Sequence, residues 1–285
     1  MSILAAEQDA APGTVAGVVT VTEVSAADIT SYRAAARSLL FNKTGRAASP
    51  VHGFTVSHPA FNLLIDQLVP GPKSIVHLQQ ELHAVRAMVP GDVITTRADI
   101  VAVRAEPQGS RVTINCRQTD DGGATVTELK ATVLVVGYQH PASFGGNPGH
   151  PAVPKPLPDR DAFTFEVTPT EAFVAAYAVA SGDHNPIHTE PAAALEAGFP
   201  GPIAHGMSSI AVGCEIAADH FGGGDVGRIE SLGARFSAPI LPGEPLVFSL
   251  RPTVQEGIFT FSCSTPRGPA VKAGWINIRP AEGKP

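Results

Sequence analysis

Cysteine is scarce in this chain, with three residues among 285, and Cys116, Cys214 and Cys263 lie far apart. An odd, widely spaced set excludes a disulfide framework, and no CxxC pair offers a metal site. Each sits in an apolar or alternating segment, so buried free thiols are expected. Positive charge is also in short supply, with 20 Lys and Arg against 26 Asp and Glu and a net charge of -6. That balance excludes a nucleic-acid-binding surface. No apolar run approaches the roughly 20 residues that cross a bilayer, so no membrane partner is expected. The N-terminal residues carry no basic n-region, and Val15–Val21 is short and broken by glycine; the expected location is the cytoplasm. Hydrophobic residues at 44% and charged residues at 16% describe a globular chain able to bury one large core or two small ones.

The chain repeats itself. Val21-Thr22 is answered by Val167-Thr168 at an offset of 146, His58-Pro59 by His205-Gly206 at 147, and Cys116 by Cys263 at 147. The Pro-Gly turn of Val89–Asp92 is answered by Leu241–Glu244 at 152. Four landmarks in one order imply duplication of a unit of about half the chain. Between the copies, Gly145–Asp159 is rich in glycine and proline and has no periodic face, so it reads as an irregular linker. The expected division is a first unit over residues 1–140, a linker over 141–160 and a second unit over 161–285.

In the second unit Phe163–Val167 alternates as a strand, and Thr168-Pro169-Thr170-Glu171 starts a helix with proline at its first position. A longer helix is predicted over Ile203–His220, stopped by Gly222. Alternation then predicts strands at Leu232–Phe236, Phe259–Cys263 and Ile276–Ile278. The first unit follows the same order: helices near Ala26–Leu40 and Pro59–Leu68, then strands near Ile75–His83, Asp92–Val103, Arg111–Arg117 and Val126–Val136. One long helix followed by antiparallel strands suggests an α+β layer in which a sheet wraps the helix.

Chemistry concentrates in Tyr177-Ala-Val-Ala-Ser-Gly-Asp-His-Asn-Pro-Ile-His188. Asp183 and His188 flank Pro186, which lacks an N–H and keeps Asn185 out of the α region, so the two side chains do not share a regular helix. Gly182 permits a sharp exit from the preceding helix. Taken singly, Asp183 could be a helix cap and His188 a satisfied core histidine; on one loop they are candidate proton-handling groups. His184 and His188 have a spacing used by zinc helices, but Pro186 breaks that geometry, and no metal is expected. Gly222–Asp225 has no following Lys-Ser/Thr and is not a phosphate loop. Gly206-Met-Ser-Ser209 is no nucleophile elbow.

This pattern, with Pro191-Ala-Ala-Ala and then Gly201-Pro-Ile-Ala-His-Gly-Met207, resembles the MaoC-like (R)-specific enoyl-CoA hydratases over residues 163–280. The resemblance implies a double hot-dog fold and hydration of a trans-2-enoyl thioester to the (3R)-hydroxyacyl thioester, or its reverse. It implies a catalytic Asp183–His188 pair sharing one water, an oxyanion donor at the Gly206 N–H, and loop support from Ser181, Asn185 and His205. No cofactor is implied beyond the coenzyme A or acyl-carrier pantetheine of the substrate. The partner is an acyl thioester, and the protein is expected as monomer or homodimer. An acyl-carrier-protein dehydratase and a non-catalytic acyl-binding subunit are the alternatives. In the first unit, Arg37–Arg46 has neither the Asp nor the His, and Pro59 replaces the oxyanion glycine. That unit is therefore expected to shape the acyl tunnel. Arg33, Arg37, Lys43 and Arg46 are expected as solvated surface or as contacts to coenzyme A phosphates.

Overall fold

The computed structural model describes residues 17–40, 47–71, 73–146, 149 and 152–280, and the backbone of 2–5. Before the Gly/Pro-rich stretch come strands β1 (Ser2–Ala5), β2 (Val18–Glu23), β3 (Ser74–Ala84), β4 (Val93–Glu106), β5 (Gly109–Thr119) and β6 (Thr125–Val136). After it come β7 (Phe163–Val167), β8 (Ile229–Phe236), β9 (Leu246–Pro252), β10 (Ile258–Thr265) and β11 (Gly268–Ile278). All join one sheet in the order β1-β2-β4-β5-β6-β3-β8-β11-β10-β9-β7. Outward from the middle, β3 answers β8, β6 answers β11, β5 answers β10, β4 answers β9 and β2 answers β7. The two halves meet where β3 pairs antiparallel with β8, Leu82 opposite Leu232 and Gln80 opposite Ala234. This is the arrangement a duplicated unit generates when two copies join edge to edge.

Among the described residues five α-helices accompany the sheet: α1 (Ala26–Ala36), α2 (His52–Leu68), α3 (Glu171–Ser181), α4 (Pro191–Glu196) and α5 (Gly206–Phe221). Residues 207–218 of α5 are all buried, as a helix wrapped by a sheet must be. One apolar core runs through both halves, joining Leu64, Ile114 and Leu129 to Ile210, Leu232 and Phe248. The linker is irregular but pinned, Phe144 bridging to Val103 and Pro156 to Thr253.

Several boundaries differ from the sequence expectation. The cap of α3 is Thr170, whose hydroxyl accepts the Phe173 N–H at 3.1 Å, so the helix starts after Pro169 and not at it. The long second-unit helix starts at Gly206 because residues 203–204 are tied elsewhere: Ile203 N bonds the Ile187 carbonyl and Ala204 N that of Ile240. The first-unit helix starts at His52 and carries Pro59 inside it. The counterpart of His205-Gly206 is therefore His52-Gly53, at an offset of 153, and not His58-Pro59. The longer offset arises because the second unit inserts the motif loop and α4 between its two main helices.

The arginines of α1 are also placed differently. Arg33 and Arg37 are buried rather than solvated, and both reach the buried Glu215 of α5. Arg33 Nε donates to Glu215 Oε1 at 2.9 Å, and Arg37 adds Asp219 at 2.7 Å. They are not available to a coenzyme A phosphate. Lys43 and Arg46 lie outside the described residues.

Candidate active site

The motif loop leaves α3 at Gly182, whose φ of +70° is a left-handed value open to glycine at little cost. Ser181 anchors the turn: its hydroxyl donates to the Tyr177 carbonyl at 2.7 Å and accepts the Asp183 N–H at 3.2 Å. Pro186–His188 is a short 3-10 turn capped by Asn185, whose side-chain oxygen accepts the Ile187 N–H at 3.4 Å. The Asn185 amide also donates to the Ile75 carbonyl of β3 at 3.2 Å, tying the loop to the first half of the chain. Asn185 N–H donates to Asp183 Oδ1 at 3.2 Å. One carboxylate oxygen is thus held by the loop, and Oδ2 is left facing outward.

His188 lies with Nε2 4.0 Å from Asp183 Oδ2 and is 7% exposed. Its Nδ1 is 2.8 Å from the Ile203 carbonyl, which only accepts, so Nδ1 carries the proton and the neutral ring presents a lone pair at Nε2. His205, the residue before α5, stacks on His188 with centroids 3.7 Å apart. Its Nε2 donates to the Asp183 backbone carbonyl at 3.0 Å, fixing the loop against the helix.

Burial lowers the affinity of His188 for a proton, outweighing the attraction of Asp183, and pushes His205 down to about 4. Burial opposes ionisation of Asp183, yet His58, His205, His188 and the Asn185 N–H together hold its carboxyl below the usual range. At neutral pH the site is one carboxylate among neutral imidazoles.

Gly206 is the first residue of α5, where a backbone N–H has no partner within the helix. A Cβ on it would stand 3.0 Å from the Phe236 ring, so glycine is what lets α5 approach β8 here. Its first-unit counterpart Gly53 donates its N–H to the Pro50 carbonyl at 3.1 Å. The first unit thus has a glycine at the expected donor position after all, but the N–H is already bonded.

Asp183, His188 and Gly206 converge on a cavity of about 590 Å³, inside the usual range for small-ligand sites. Sequence reasoning missed the residues that the first half contributes to it. Phe54, His58, Phe61 and Ile65 of α2 line it with His77 of β3. His58 Nε2 reaches within 3.9 Å of Asp183 Oδ2. The legible signal was a histidine set in an apolar stripe, spaced four, three and four along one helix.

Asp183, His188 and His205 also carry donor atoms within 4.8 Å of one another, the one grouping of metal-ligand types among the described residues. His205 Nε2 is occupied by a carbonyl, and its ring stacks on that of His188. The arrangement suits a water better than a tetrahedral ion.

Residues 156–265 match the family described as MaoC like domain. Across 194 residues the chain is 34% identical to the 3-hydroxyacyl-thioester dehydratase Y of Mycobacterium tuberculosis, an alignment covering 66% of this chain and 65% of that protein. The crystal structure of a MaoC-like dehydratase from Phytophthora capsici superposes with a TM-score of 0.74 at 21% identity, covering 94% of this chain and 97% of that one. A Mycobacterium tuberculosis protein described as having a double hotdog fold superposes at 0.56 and 13% identity, over 92% of this chain and 94% of that one. Among the described residues, no helix is long and apolar enough to cross a membrane. The wrapped helices, the palindromic sheet and these likenesses agree: the fold is a double hot dog, and residues 156–265 form a MaoC-like domain within it.

Proposed function

We propose that this protein interconverts a trans-2-enoyl thioester and water with the (3R)-hydroxyacyl thioester, using Asp183 and His188 on one water. The observation that carries this reading is a pair of acceptors facing each other. Asp183 Oδ2 is a carboxylate oxygen, His188 Nε2 is a lone pair, and they stand 4.0 Å apart on the cavity wall. Two acceptors of a single water are separated by roughly 4–4.5 Å when each hydrogen bond is near its ordinary length. A water donating to both would turn its own lone pairs toward the cavity.

In hydration that oxygen bonds to C3 of the substrate as one of its O–H bonds breaks, the proton passing to the pair. The electrons of the C2=C3 bond move toward the thioester oxygen, and the pair returns a proton to C2. A neutral histidine and a carboxylate suit proton transfer in either direction in a largely buried pocket. The Gly206 N–H, at the positive end of α5, is the donor for the thioester oxygen as it gains enolate charge. The two protons are assigned to the pair jointly. The relative named as a 3-hydroxyacyl-thioester dehydratase supports the same chemistry in the opposite direction.

Residues 161–285 form the unit bearing the pair, residues 1–140 the unit that closes the cavity from the other side, and 141–160 the linker. Coenzyme A or an acyl-carrier pantetheine enters as part of the substrate, and no separate cofactor is needed. The test is loss of the enoyl-thioester absorbance with crotonyl-CoA, a longer trans-2-enoyl-CoA and an enoyl-pantetheine, with chiral analysis of the product. Formation of the (3R) alcohol supports the proposal. No turnover of any of the three by folded protein would point instead to a non-catalytic acyl-binding subunit.

A further inference from the structure

The Asp183 carboxylate is approached from two sides. His188 faces Oδ2 at 4.0 Å from the motif loop, and His58 faces the same oxygen at 3.9 Å from α2 of the other unit. The His58 ring packs on Phe54 with centroids 5.1 Å apart, and its side chain is 13% exposed. At the offset of 153 that relates α2 to α5, the residue corresponding to His58 is Ala211.

The tautomer of His58 follows from its surroundings. Nδ1 is buried without a partner, while Nε2 lies 3.9 Å from Asp183 Oδ2, beyond direct hydrogen-bond length, and the Gly182 carbonyl is a second acceptor for the ring. A buried N–H with no acceptor costs about 1–3 kcal/mol, and an unfilled acceptor lone pair is more readily tolerated. The proton therefore belongs on Nε2, toward the carboxylate. The two imidazoles around Oδ2 differ: His58 stands 3.9 Å away with its N–H side toward it, and His188 stands 4.0 Å away with a lone pair.

We propose that His58 is a positioning residue of this site, its Nε2–H closing onto Asp183 Oδ2 so that the carboxylate keeps the rotamer facing the water shared with His188. This rests on the hydration reading above, and it gives the first unit a part in the polar machinery as well as in the cavity wall. The other titratable groups near Asp183 are Tyr177 of α3, His77 of β3, and His188 and His205, all affecting it or affected by it. His184 and the Gly182 carbonyl act on His58 itself.

The test compares His58→Phe, which keeps a ring against Phe54 without the N–H, with His58→Gln, which keeps an N–H donor. With crotonyl-CoA, His58→Phe is expected to lower kcat by about 10-fold or more while KM changes by less than about 3-fold. Its acid limb of kcat/KM should move up by about 0.5–1 pH unit, and His58→Gln should recover part of both losses. Unchanged kcat and acid limb in His58→Phe, with Asp183→Asn inactive, would overturn the proposal. A second measurement does not depend on turnover: the carboxyl 13C titration of Asp183, assigned by the signal missing in Asp183→Asn. It should move to higher pH in His58→Phe, and a titration that stays in place overturns the role of His58 even if no enoyl thioester is a substrate. Absent turnover with a shifted titration would overturn the hydration reading alone and leave the Asp183–His58 contact supported.

Discussion

The hydroxyls of Tyr32 and Tyr177, residues 145 apart in sequence, meet at 2.9 Å in the buried centre of the molecule. Each belongs to the first main helix of its unit, and the helices lie against each other there. Around this contact the duplicated halves have diverged. On the second unit's side the chain after Tyr177 turns out into the loop of Asp183 and His188, beside the cavity. On the first unit's side Arg33 and Arg37 fill the space after Tyr32 and pair with Glu215 and Asp219 of α5. One side keeps an open site, and the other is closed by a buried ionic cluster.

That cluster makes Glu215 costly to neutralise. Glu215→Gln removes the carboxylate that both buried guanidinium groups share, and breaking a buried pair from one side costs about 3–5 kcal/mol. The urea midpoint should fall accordingly, with Asp219→Asn, whose side chain is 27% exposed, costing less. A loss below about 1 kcal/mol for Glu215→Gln would mean water reaches the arginines.

Stability should fall on mild acidification. Burial pushes His52, His77 and His205 down to about 4 from an ordinary value of 6.5. The unfolded chain takes up these protons near pH 6.5 and the folded chain only near 4. Their contribution is therefore complete above pH 6.5 and is lost as pH falls toward 4, by up to roughly 3 kcal/mol for each. Asp183, held below its ordinary 3.8, titrates beneath this window. Urea midpoints from pH 7 to 5 should show the fall, and His52→Phe should make it shallower, because both ring nitrogens of His52 are buried without partners. An equal slope in that variant would contradict the assignment.

Gly206 allows the backbone donor to be removed without breaking a helix. It occupies the first position of α5, where proline is tolerated, and His205 before it has φ -59° and ψ 131°, the region proline demands of its neighbour. Gly206→Pro should keep the helix and lower kcat by about 100-fold or more. Gly206→Ala keeps the N–H and presses only on Phe236, so its smaller loss measures the steric share. Equal losses in the two variants would mean that the N–H does not act.

The second unit was legible because its information is local. Asp183, Asn185, Pro186 and His188 lie within one turn of chain, and their residue types dictate its shape. The Pro-Gly turns and alternating strands gave the sheet for the same reason. Three things were hidden. Proline at Pro59 suggested a helix start, whereas tertiary burial of α2 outweighs the hydrogen bond that Pro59 cannot make to Thr55. The contact between His58 and Asp183 was hidden because it depends on how two units dock, which no local pattern encodes. The buried arginines were misjudged similarly: their partners sit on α5, more than half the chain away.

If Asp183 and His188 act together on one water, a double-mutant cycle in crotonyl-CoA hydration will show it. Asp183→Asn and His188→Gln should each lower kcat by at least about 100-fold, and the double variant should be no slower than the slower single one, because removing either partner already loses the water. Losses that multiply in the double variant, or a single variant that retains wild-type turnover, would contradict the shared water.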